Sequence, residues 1–92
     1  MAMNVDDILT ERGNRYGNYL KQTQISQQLM RVMHMELMQR GKVLAPDQQD
    51  CLMMIAVKIS RIINGDENHA DNFKDIAGYA TLVADRLEGK SR

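Results

Sequence analysis

From Tyr19 to Arg40 neither glycine nor proline interrupts the chain. This stretch, rich in Gln, Leu and Met, predicts one long helix that stops at Gly41. Ile25, Leu29, Val32 or Met33, and Leu37 recur at helical spacing and define its main buried stripe, while Met30, Met35 and Met38 spread apolar surface around its second half. A helix that is apolar over most of its girth is covered on two sides. In a chain of 92 residues that second cover is expected to be another subunit, with Met30, Met33, Leu37 and Met38 as the interface. His34 lies among these methionines with no second His or Cys at ligand spacing, so it reads as a surface or interface residue rather than a metal ligand.

The remaining helices follow from their punctuation. Pro46 suits the first turn of a helix that carries Asp47 and Asp50 at its start and runs to Asn64-Gly65, with Gly65 as a left-handed stop. Leu52, Ile55, Ala56, Ile59, Ile62 and Ile63 form its apolar stripe. Asn68 or Asp71 is expected to cap a last helix whose stripe is Ile76, Tyr79, Ala80, Val83 and Leu87, ending at Gly89, with Lys90-Ser91-Arg92 fraying. Gly78 inside it signals a close crossing by the helix of residues 46–64, since an interior glycine costs about 1 kcal/mol relative to alanine. Asn4 or Asp6 caps a short first helix carrying Val5, Ile8 and Leu9, which is expected to end near Arg12-Gly13. Residues Glu11 to Asn18 then read as a loop. The fold class is an all-α antiparallel bundle of about four helices, one short and three longer, in a single domain spanning residues 1–92.

Twelve basic and twelve acidic residues balance, leaving no long-range field for nucleic acid or an anionic membrane. No helix-turn-helix signature is present either. The acidic N-terminus has no apolar run of the kind a signal peptide needs, and no segment reaches the roughly 18 apolar residues of a membrane span. A single cysteine, Cys51, sits amid Leu52, Met53, Met54 and Ile55, where a small buried side chain fits better than a reactive thiol. A soluble, cytoplasmic protein is expected. A chain this short buries only about 60–65% of its unfolded surface, which again favours a homo-oligomer.

Chemistry rests on the charged residues. Arg12 and Arg15, projecting from the loop that holds Gly13 and Gly17, either present two guanidinium groups to an anion or pair with acids elsewhere. Asp47, Asp50, Lys58 and Arg61 share one helical edge, acids first and bases last. Such an edge serves either a divalent cation and phosphates, or a solvated face that complements the helix dipole. Asp71 and Asp75, one turn apart, admit the same two readings. An antiparallel arrangement sets them near Lys58 and Arg61 and away from Asp47 and Asp50, so a four-carboxylate site needs an unusual crossing or a second subunit.

Three motifs in order, Glu11-Arg12-Gly13-Asn14-Arg15-Tyr16-Gly17, then Met54 to Ile62 with Asn64-Gly65-Asp66, then Asp71 through Tyr79, resemble a family of small uncharacterised proteins of tailed phages and prophages. The resemblance covers nearly the whole chain and implies a bacterial host cytoplasm and a role accessory to phage growth; the partners to be expected beside a second copy are a host protein or a nucleotide. A more distant similarity is to the MazG-like all-α nucleoside triphosphate pyrophosphohydrolases, through Asn72-Phe73-Lys74-Asp75-Ile76-Ala77-Gly78-Tyr79 and Asp47-Gln48-Gln49-Asp50. That similarity implies Mg²⁺ on Asp47, Asp50 and Asp75, with Lys58, Arg61 and Arg15 on phosphates. The chain departs from the pattern where Asn72 replaces an acid and aspartates replace both glutamates of the first pair. The expected function is therefore a dimeric helical binding module, with the metal-dependent enzyme as the alternative.

Overall fold

The structure is a computed structural model that describes residues 4–90. Among them it contains four helices and no strand: α1 (Val5–Tyr16), α2 (Tyr19–Arg40), α3 (Pro46–Asn64) and α4 (Ala70–Leu87). The all-α class and the bounds expected for the long helices hold. Gly41 takes the left-handed conformation (φ 59°, ψ 30°) that ends α2, and its neighbour Lys42 donates to Leu37 O at 2.9 Å. Pro46 opens α3, where Gln48 Oε1 accepts from Ala45 N at 2.9 Å.

Five local expectations are corrected. The first helix runs through Gly13 to Tyr16, so only Gly17 and Asn18 connect it to α2. Asn4 Oδ1 accepts from Asp7 N at 2.8 Å at its start, and Asn18 Oδ1 accepts from Lys21 N at 3.1 Å at the start of α2. Gly65 is extended (φ −121°, ψ −138°), not left-handed. The cap position of α4 is His69, without a side-chain bond. The turn before it is held by Asp66, whose Oδ1 accepts from Asn68 N and whose carbonyl accepts from His69 N. No neighbouring atom lies within 4 Å of where a Cβ on Gly78 would be, so α3 does not cross there. At the other end Lys90 N donates to Asp85 O at 2.7 Å and the Lys90 ammonium pairs with Glu88, so Lys90 is held; Ser91 and Arg92 lie outside the described residues.

α3 is the central element. It packs against α2 on one side and α4 on the other, and α2 and α4 do not approach within 8 Å Cα to Cα. The result is a slab measuring 46 × 31 × 23 Å rather than a closed bundle. Both neighbours run antiparallel to α3. Lys58 pairs with Asp75 at 3.0 Å and Asp47 pairs with Arg86, eleven residues back along α3 and eleven on along α4, so the register is uniform.

What the slab buries is mostly polar. Among the described residues the buried apolar side chains are Cys51 and Ala56, whereas Gln22, Ser26, Lys58, Ser60, Asn72 and Asp85 are buried and polar or charged. The expected stripes are only half covered. Ile25, Leu29, Met33 and Leu37 of α2 are half-buried, but Val32 is 63% exposed and Met38 69%. Ile55, Ile59 and Ile62 of α3 and Ile76, Tyr79 and Val83 of α4 turn partly inward; Leu52, Ile63, Ala80 and Leu87 do not. Burial raises the Cys51 thiol pKa, and the nearby Asp47 carboxylate raises it further, which agrees with an unreactive cysteine.

Candidate functional site

The first two motifs meet where the C-terminal ends of α1 and α3 interlock. Asp66 N donates to Arg15 O at 2.6 Å, and Asn64 Nδ2 donates to both Tyr16 O (2.9 Å) and Asn18 O (2.8 Å). The backbones touch because two glycines allow it. A Cβ on Gly65 would lie 2.2 Å from Arg15 O, and one on Gly17 would lie 2.3 Å from Asn64 O at a φ of +79° that disfavours any side chain.

This interlock frames a cleft of about 610 Å³ lined by Leu9, Arg12, Tyr16, Tyr19, Gln22 and Arg61 with the intervening backbone. The Arg61 guanidinium lies 4.5 Å from the centre of the Tyr16 ring and that of Arg12 lies 6.0 Å from it. His69 meets the same ring edge-on at 6.0 Å. Cation–π contacts of this kind contribute about 0.5–2 kcal/mol, so Tyr16 orients both cations without neutralising either. Two donors near this end have no hydrogen-bond partner: Arg61 Nε and Asn72 Nδ2, both buried. The uniform register places Arg61 and Asn72 opposite each other, one turn beyond the Lys58–Asp75 pair.

Of the four basic residues singled out in the sequence, Arg12 and Arg61 line the same cleft and contact the same Tyr16 ring. Arg15 instead pairs with Glu11 at 3.0 Å. Lys58 is not on a solvated edge: it is 8% exposed and its ammonium meets Asp75. The acids do not converge. Asp47 receives two bonds from Arg86, at 2.7 and 2.5 Å, which lower its pKa and raise that of Arg86. Asp75 answers Lys58, about 16 Å further along α3 at 1.5 Å per residue. Asp71 lies 3.8 Å from His69, and Asp50 is exposed. No three His, Cys, Asp or Glu side chains among the described residues are grouped to hold a metal ion. The donor set that Mg²⁺ needs is therefore not assembled among the described residues of one chain. Met30, Met33 and Leu37 line a second groove, between α2 and α3, together with Leu52 and Met53, and Met38 lies at its outer side.

Tyr16, Tyr19, Gln22 and Asn72 are the residues that the sequence did not single out as site residues. Tyr16 follows Arg12 by four residues, a spacing that puts both on one face once α1 is known to continue past Gly13. Gln22 and Asn72 carry no signal without the partner helix that buries them.

The described residues thus form an all-α slab with a basic, aromatic cleft at one end and partly open apolar faces. The family model described as a domain of unknown function, DUF6378, matches residues 3–87, and the chain belongs to that family. No curated protein and no solved structure matches it.

Proposed function

We propose that the protein is a helical interaction module that works as a homodimer, an accessory protein of a tailed phage or prophage that binds rather than catalyses. The observation behind this reading is the surface that one chain leaves open. Its accessible area is 6966 Å², whereas a compact monomer of this mass exposes roughly 5,400 Å². The radius of gyration is 15.6 Å, against about 12 Å for a compact chain of this length. The excess of roughly 1,500 Å² per chain falls in the range that a partner covers in an obligate homodimer. The exposed apolar residues include Val32, Met35 and Met38 on α2 and Val43 just after it, with Met38 and Val43 beside the methionine-lined groove, and an α2 face of this kind pairs with its own copy by two-fold symmetry.

Sedimentation equilibrium of the full chain tests the reading, and a dimer at micromolar concentration is the expected result. Met38→Asp, which places a charge on the exposed rim, should shift that equilibrium to monomer. A folded, cooperatively melting monomer at all concentrations would refute the dimer.

A further inference from the structure

We infer that the cleft between α1 and α3 binds a small molecule bearing a phosphate monoester and a planar ring, with the phosphate seated on Arg12 and Arg61. This goes beyond the dimeric reading and does not rest on it, because every contributing residue belongs to one chain. The charge balance comes first. The chain as a whole is neutral, yet the cleft has two guanidinium groups and no carboxylate among its lining residues. Neither arginine has an ion-pair partner among the described residues; the exposed Lys21, Arg31, Lys42 and Lys74 have none either, whereas Arg15, Arg40, Lys58, Arg86 and Lys90 do. For an exposed arginine that means little. Arg61 is half-buried, and a cation withdrawn from water without a counter-charge carries a cost that a ring face only partly offsets.

Hydrogen-bond donors point the same way. Buried polar groups are nearly always paired, and the described residues contain two orphans, Arg61 Nε and Asn72 Nδ2, both of them donors. They occupy the same level of the α3–α4 seam, and of the two residues Arg61 also lines the cleft. Donors without acceptors beside cations without anions define the complement: an oxyanion with several acceptor oxygens. Two guanidinium groups match the double charge of a phosphate monoester and offer it planar pairs of N–H groups. The cleft is much larger than a phosphate, and Tyr16, Tyr19 and Leu9 supply ring and aliphatic surface for an organic remainder.

Isothermal titration of the full chain with phenyl phosphate and with inorganic phosphate, in chloride buffer at constant ionic strength, tests this without any metal. Phenyl phosphate should bind, and more tightly than inorganic phosphate. Arg12→Gln, a change on an exposed side chain that leaves the fold intact, should weaken phenyl phosphate about tenfold or more, the usual effect of losing one charged hydrogen bond. Arg61→Lys keeps the charge but removes Nε and the planar fork, and should weaken it comparably with an unchanged helical spectrum. Absence of binding up to about 10 mM, or affinity unchanged in Arg12→Gln, would overturn the site. Equal affinity for the two ligands would overturn the ring and leave free phosphate as the source. Sedimentation on the same samples reads the dimer separately, so failure of one reading does not mask the other.

Discussion

Replacing Gly65 with alanine isolates the α1–α3 interlock from the rest of the fold. The added Cβ would sit 2.2 Å from Arg15 O and 2.4 Å from Tyr16 Cα, where ordinary contact begins at 3.4 Å, so the end of α1 must retreat by more than 1 Å. Both obstructing atoms belong to backbone and cannot rotate away. That retreat breaks the bond from Asp66 N to Arg15 O and strains both bonds from Asn64 Nδ2. Three hydrogen bonds at about 1 kcal/mol each, with about 1–2 kcal/mol of residual overpacking, give a loss of about 4–5 kcal/mol. A chain of this length has about 5–14 kcal/mol in total. Urea unfolding at one fixed protein concentration measures the loss, because oligomerisation would otherwise move the midpoint. Gly13→Ala and Gly78→Ala are internal controls. Both positions are helical with open space around the new methyl, and each should gain about 0.5–1 kcal/mol by restricting the unfolded chain. Gly65→Ala within about 1 kcal/mol of the unsubstituted chain would refute the interlock.

Other consequences are as direct. Asp75→Asn strips the counter-charge from the buried Lys58 ammonium and should cost about 1–3 kcal/mol, less than for a fully buried pair because Asp75 is half-exposed. Adding Lys58→Met should recover most of that loss, and urea unfolding of the two variants checks both. The Arg86 bonds hold the Asp47 carboxyl below the usual aspartate range, so Asp47 stabilises the folded state while it is ionised. That contribution is complete above the ordinary aspartate pKa of about 3.9 and disappears as pH falls through the lower folded value. Melting temperatures of Asp47→Asn and the unsubstituted chain should therefore differ at neutral pH and converge in acid. A constant gap down to the acid limit would count against the Asp47–Arg86 pair.

Much of the scaffold was legible because its punctuation is local. Gly41, Pro46 and the uninterrupted stretch between Tyr19 and Arg40 set element ends by backbone chemistry that needs no neighbour. Gly13 misled because a glycine is tolerated inside a helix whose next stop, Gly17, lies four residues on and is required for a different reason, the approach of Asn64. Gly78 misled in the opposite sense, since a glycine without a crossing neighbour has the same sequence signature as one with it. The Lys58–Asp75 pairing followed from antiparallel packing alone, but the burial of Lys58 did not, because periodicity marks a polar residue as outward until a partner helix covers it. For the same reason the cleft was only half visible. Arg12 and Arg61 stood out as cations, whereas Tyr16, Gln22 and Asn72 acquired meaning only from the other helices packed beside them.

The attachment of α1 has a kinetic consequence. α2, α3 and α4 are successive antiparallel neighbours that can zip together through short connections, while α1 is fastened only at its last turn, to a segment some 48 residues distant. No residue of α1 is buried, so little but that clasp resists its departure. The helix should come off as one piece, its amides exchanging with solvent ahead of those in α3. Arg12 and Tyr16 leave with it. Whatever occupies the cleft would act as a latch on the first helix, lengthening the time it stays docked, and the exchange rate of the α1 amides would report occupancy.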